Sequence, residues 1–154
     1  MLAENTVLTG RRAITRSYAK INLTLDVLSK RENGYHDIKM IMQTVSLFDL
    51  ILVDKTHRGI SISTNLPYLP CNEKNIAYKA ADAFFKATGI RGGAKIVIHK
   101  NIPVAAGLAG GSGNCAAVLT AMNMLHGNPL SNDELMHIGA SLGADVPYCF
   151  DGST

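Results

Sequence analysis

From Ala105 to Gly113 every residue except Leu108 is Ala, Gly or Ser, and the chain then runs without a break into the apolar segment NCAAVLTAMNML. A backbone so free of side chains can bring its N–H groups close to an anion. A helix start adds unpaired N–H groups and the positive end of a dipole. The chemistry on offer is the binding of phosphate oxygens. The alternative is a glycine-rich loop packed closely on a neighbouring element, and the glycines by themselves support both equally. The length of the bare stretch, and its fusion to a helix starting near Ser112, favour the phosphate cradle.

Two better-known glycine motifs do not apply. A Walker loop ends in Gly-Lys-Ser/Thr, and no lysine follows Lys100. Gly111, Gly113 and Ala116 formally fit the dinucleotide pattern GxGxxA. That motif starts directly off a strand and leads through one helix to a second parallel strand carrying an acid. Here a long loop intervenes and another helix follows.

The elements that must position this loop are legible from periodicity. AITRSYAKINLTLDVLSK alternates, with Ile21, Leu23, Leu25 and Val27 on one face and Lys20, Asn22, Thr24 and Asp26 on the other. That predicts a half-buried strand with its apolar face inward. RENGY reads as a turn, HDIKMIMQTVSLFDLILVD as two or three short strands, and RGISIST as another. PCNEKNIAYKAADAFFKATG predicts a helix with Asn72 or Glu73 near its start. Ile76, Ala80, Ala83 and Phe84 form its buried stripe and Gly89 stops it. AKIVIHKNIP is a strand ended by Pro103. The helix after the loop closes at Gly127, and PLSNDELMHIGASLG is a further helix capped by Ser131, with Asp133 and Glu134 in its first turn. ADVPYCFDGST reads as a short strand. This order predicts an α+β fold, a layer of helices on one mostly antiparallel sheet.

The chain's 154 residues suit one domain. A hydrophobic share of 47% with 18% charged residues is ordinary globular composition and excludes disordered and fibrous classes. Net charge is +3, and Arg11, Arg12 and Arg16 gather without a longer basic run. A nucleic-acid partner is therefore disfavoured. No signal-like or membrane-spanning apolar run occurs, so the expectation is a cytoplasmic protein with no membrane partner. Cys71, Cys115 and Cys149 lack CxxC spacing and read as small buried hydrophobes. His57, His99, His126 and His137 lack metal-ligand spacing, so no protein metal site is predicted. Met40, Met42, Met122, Met124 and Met136 read as core filler.

PVAAGLAGGSGNCAA resembles the phosphate loop of the GHMP kinases, a superfamily of small-molecule kinases. AKINLTLDVLSKRENGYHDIKMI and LGADVPYCF extend the likeness, in order, from about Ser17 to Phe150. The resemblance implies a ribosomal-protein-S5-like N-terminal domain over residues 1–154, with 1–13 a flexible lead-in. It implies ATP as phosphoryl donor, with Mg2+ carried on its phosphates. Lys20 and Asp145 match the family's catalytic pair. A carboxylate takes the proton of the attacking hydroxyl, while a lysine keeps it ionised and offsets developing negative charge. Pro103, Val104, Ala105, Ala106, Gly107, Leu108, Ala109, Gly110, Gly111, Ser112 and Gly113 would wrap the ATP phosphates, with Asn75 and Lys100 near the nucleotide.

Taken together, the motifs resemble those of kinases of the non-mevalonate isoprenoid route, and the resemblance implies as acceptor the 2-hydroxyl of a cytidyl-diphospho-methylerythritol. By resemblance Tyr35 stacks on the cytosine, His36 bonds its edge, and Asn22 and Lys20 lie near the erythritol hydroxyls. The family continues into a second α+β domain. The expectation is thus a fragment with weakened turnover, whose partners beyond the small molecule are a second copy or a separately encoded C-terminal half. Gly113 and Cys115 stand where the family commonly has Ser and Ala. The competing readings are a GHMP kinase for mevalonate-like or amino-alcohol acceptors, and a non-catalytic nucleotide-binding fragment or half of a split kinase. An RNA-binding module is disfavoured by charge.

Overall fold

The computed structural model describes residues 2–30 and 36–151. Two long strands dominate it, β2 (Arg12–Lys30) and β3 (His36–Thr56), paired antiparallel. The sequence between His36 and Thr56 reads as several strands because Gln43, Thr44, Ser46 and Asp49 interrupt the apolar pattern. It contains no Gly or Pro, however, so nothing turns the chain, and β3 runs unbroken.

A short β1 (Thr6–Thr9) flanks β2, pairing Thr6 with Thr15, and Leu2 before it is buried. The first 13 residues thus include a paired strand rather than only a lead-in. On the other side β5 (Gly93–His99) pairs antiparallel with β3, and β4 (Gly59–Thr64) lies outermost, parallel to β5. The order is β1-β2-β3-β5-β4, so the sheet is mostly antiparallel with helices on one face, as the α+β reading expects.

α1 (Ile76–Thr88) starts where Asn75 Oδ1 accepts the Ala77 amide at 3.0 Å and stops at Gly89, whose φ of 66° suits a residue without a Cβ. α2 (Gly110–Leu125) is buried from Gly113 to Asn123 and forms the centre of the layer, with β2 and β3 beneath it and α1, α3 and α4 around it. Ile51, Val53, Ile96 and Ile98 of the sheet meet Phe84 of α1 and Val118, Leu119 and Met122 of α2 in the core. α3 (Asn132–Leu142) carries the predicted Ser131 cap as a complete capping box with Glu134.

The last element corrects a sequence expectation. ADVPYCFD is not a strand: Val146–Asp151 form α4. Pro147 lies in its first turn, where a missing N–H costs nothing. Gly139 of α3 lets Val146 and Phe150 approach.

Candidate functional site: a phosphate-sized loop at the tip of α2

The loop between β5 and α2 takes its shape from backbone strain. Ala105, Gly107 and Ala109 have φ of 58°, 74° and 56°, alternating with ordinary residues. Holding an alanine there costs about 1 kcal/mol, and the alternation lets successive N–H groups face one side. The helix cap at Ala109 has no side-chain hydrogen bond, and the first intrahelical bond runs from the Gly113 amide to the Ala109 carbonyl at 2.8 Å. The amides of Gly110, Gly111 and Ser112 therefore lack partners within the helix. They border a cavity of about 490 Å³ that is also walled by Pro70, Lys74, Asn75, Lys100, residues 103–109 and Asp145. Lys74 is exposed at this rim and has no ion-pair partner among the described residues. No acidic residue stands in the first turn of α2. The arrangement suits an anion.

Lys20 comes beside this cavity at an irregularity in the β2–β3 ladder. Ala13, Thr15, Ser17 and Ala19 are fully buried in strict alternation, which would turn Lys20 outward. The register with β3 shifts here, from Tyr18 opposite Phe48 to Lys20 opposite Thr44, with the extra residues on β3, and at this break in the ladder Lys20 is buried to 5% exposure beside buried Ala19. Its amide donates to the Leu108 carbonyl at 3.1 Å, tying strand to loop. Its Nζ donates to Asn22 Oδ1 at 3.0 Å and lies 3.7 Å from Asp145 Oδ2. Asp145, just before α4, is half-exposed and faces the cavity.

The predicted burial of the apolar stripe is also overturned. Leu23 and Val27 of the stripe expected inward are 55% and 60% exposed, and nearby Leu28 and Ile41 are 64% and 48% exposed. The cause is length. β1 pairs only with residues 12–15 of β2 and β5 only with residues 50–56 of β3, so beyond them the two strands form a ribbon without neighbours.

Of the remaining predicted residues, the structure brings Asn22, residues 103–112, Asn75 and Lys100 to the site and leaves others aside. Asn75 lines the cavity, but its amide is committed to capping α1 and, through Nδ2, to the Pro70 carbonyl at 2.9 Å. The Lys100 ammonium is buried and bonds Asp49. Gly113 does not face the cavity: a Cβ there would stand 2.5 Å from Ser17 Oγ, itself buried without a partner. The glycine therefore answers a close approach of β2. Tyr35 lies outside the described residues, as does the side chain of His36, whose backbone pairs with Lys30.

Cys71 is exposed, against expectation, because it sits in the irregular segment before α1. Cys115 and Cys149 are held protonated, each thiol pushed up to about 12 by burial; Asp145 adds to the effect at Cys149 and Lys20 opposes it. Neither is a nucleophile. Among the described residues no three His, Cys, Asp or Glu side chains group to hold a metal, and no helix is long and apolar enough to cross a membrane.

Pro70, Lys74 and Asn114 of the cavity wall escaped the sequence reading, and so did Asp49 behind it. An acid inside the apolar run SLFDLIL was the available signal, since an unpaired aspartate is almost never fully buried.

A family model described as the GHMP kinases N terminal domain matches residues 75–153. A 4-diphosphocytidyl-2-C-methyl-D-erythritol kinase of Clostridium botulinum is 52% identical over 139 residues, 90% of this chain and 50% of that protein. The protein of that name from Clostridium perfringens is 54% identical over 140 residues, again 90% of this chain and 49% of its own. The chain thus spans about half the length of the curated relatives it matches. A crystal structure of 4-(cytidine 5'-diphospho)-2C-methyl-D-erythritol kinase superposes with a TM-score of 0.78 at 36% identity, covering 89% of this chain and 48% of that one. The mevalonate kinase of Methanococcus jannaschii, at 16% identity and a TM-score of 0.68, shares the fold. By its loop, its sheet and these relatives, the chain belongs to the GHMP kinases and carries their N-terminal domain.

Proposed function

We propose that the chain is the nucleotide-binding part of an ATP-dependent kinase that phosphorylates the 2-hydroxyl of 4-diphosphocytidyl-2-C-methyl-D-erythritol. The observation that carries the reading is the meeting of Lys20 with Asp145, 3.7 Å apart, where Asp145 lines the cavity bordered by the α2 amides. The names of relatives above 50% identity supply the acceptor.

The loop amides and the tip of α2 hold the triphosphate, with no competing carboxylate in the first helical turn. Asp145 accepts the proton of the acceptor hydroxyl as it attacks the terminal phosphorus in line. The Lys20 ammonium, held by Asn22, offsets negative charge on the transferring group. Its burial strengthens that effect. One carboxylate, Asp145, and the Ser112 hydroxyl line the cavity, a donor set that fits Mg2+ held chiefly by phosphate oxygens. Bound there, the ion would neutralise phosphate charge. Asn22, Tyr35 and His36 remain the residues proposed for the acceptor.

A second reading is a nucleotide-binding fragment, or half of a split kinase, that needs a partner for turnover. The exposed Leu23, Val27, Leu28 and Ile41 favour it, because a face of that kind gains by being covered. A coupled ADP-release assay with the cytidyl acceptor, and with mevalonate and homoserine as controls, separates the readings. Acceptor-dependent turnover supports the kinase; ATP binding without turnover supports the fragment; neither one defeats both.

A further inference from the structure

We infer that Asp49 is a positioning residue of the phosphate loop, a single buried carboxylate that fastens both ends of it. The inference rests on the reading that this loop holds phosphate. Asp49 is fully buried, and four donors converge on it. Oδ1 accepts the backbone amides of Asn101 and Ile102, both at 2.8 Å, at the loop's entrance. Oδ2 accepts the Lys100 ammonium and, with the Asn114 amide turned to satisfy its neighbours, Asn114 Nδ2 at 2.9 Å from the first turns of α2. Asn114 also donates to the Gly110 carbonyl at 3.1 Å, where the loop becomes helix.

The convergence has a reason. Residues 103–107 are exposed and carry no side chain larger than valine or proline, so the loop cannot hold itself in a strained shape by packing. Pinning entrance and exit to one point shortens the free segment and removes conformations that would otherwise be lost on binding phosphate. Gly110 completes the fit, since a Cβ there would stand 2.8 Å from Lys100 Nζ. Lys100 accordingly acts through Asp49. Its charge is spent on the carboxylate, and the pair places no net charge behind the cradle.

A test must separate anchoring from the cost of a stranded buried charge. D49A/K100M removes both charges and the acceptor. D49N/K100M removes both charges but keeps an amide oxygen for Asn101 and Ile102. Amide hydrogen exchange and calorimetric binding of inorganic triphosphate are measured on both and on the unaltered chain. The expected result is exchange at Asn101 and Ile102 about tenfold or more faster in D49A/K100M than in D49N/K100M, with triphosphate affinity weaker by a similar factor. Exchange at Ile96 and Ile98 of β5 should be alike in the two. Equal loop protection in the two variants would overturn the proposal. So would general loss of protection, or unfolding, in D49A/K100M alone, which would make Asp49 a core residue. Absence of triphosphate binding by the unaltered chain would defeat the phosphate reading of the loop, while the exchange contrast still decides the role of Asp49.

Discussion

Replacing Gly139 by alanine tests how closely the helix layer controls the position of Asp145. The added Cβ would stand 2.7 Å from Val146 Cγ1 and 3.0 Å from Phe150 Cε2, both on α4 and both buried. Overpacking of this kind costs about 1–3 kcal/mol, and alanine in place of a helical glycine returns about 1 kcal/mol. The net loss should be at most about 2 kcal/mol, a fall in Tm of roughly 2–4 °C per kcal/mol for a chain of this size. Val146→Ala alone removes two buried methyl groups and costs about 2 kcal/mol. Combined, the two changes should not add, because the new methyl occupies space that the valine vacates. The double variant should lose only about 1 kcal/mol against an additive sum of about 2–4 kcal/mol. Urea denaturation of the four proteins measures the coupling. Additivity within about 0.5 kcal/mol would rule out a close approach between the two helices. Turnover supplies a second readout. Because Asp145 immediately precedes α4, G139A should lower kcat about tenfold or more while leaving ATP affinity unchanged.

K20M and D145N should each reduce acceptor-dependent ADP release by about 10²–10⁴-fold, and the double variant by far less than the product, because the two act as a unit. At pH 8 iodoacetamide should label exposed Cys71 and spare Cys115 and Cys149 until the chain unfolds, as thiols near 12 leave a thiolate share of only ~10⁻⁴. Mass spectrometry of the labelled peptides checks this. His126 packs against Phe84 and Phe85, and burial lowers its pKa, with Lys55 adding and the Met122 carbonyl opposing. The folded state then binds the proton less readily than the unfolded chain. Its contribution to stability should be full above about pH 6.5 and fall as pH drops through the folded pKa. H126F should flatten that part of the stability profile in pH-dependent denaturation.

The parts of this fold that local chemistry controls were readable in advance. Ser131 caps one helix, Gly89 ends another, and the bare loop meets a helix start, all from short-range rules, although α1 begins at an Asn75 cap rather than near Asn72 or Glu73. What escaped depends on contacts distant in sequence. The shift between Tyr18 and Lys20 exists only against β3, and it buries a lysine that alternation assigns to the surface. Asp49 acquires its role from residues more than fifty positions away. The exposed stripe at Leu23 and Val27 has the pattern of a buried strand, and no periodicity can say that neighbouring strands stop short. ADVPYCFD misled for a different reason. Its β-branched and aromatic residues suit a strand, while Pro147 is equally at home in a first helical turn.

If bare amides at the tip of α2 hold a triphosphate beside Lys20 and Asp145, nucleotide must perturb all three together. The decisive measurement is a titration of the isotope-labelled chain with a non-hydrolysable ATP analogue and Mg2+, following backbone amide and lysine side-chain resonances. The largest shifts should fall at Ala106, Gly107, Gly110, Gly111 and Ser112, with Lys20 Nζ and Asp145 responding in step. Shifts gathered instead around Arg58 and Arg91, which line a groove with Gly92 just before β5, would place the nucleotide elsewhere and end the proposal.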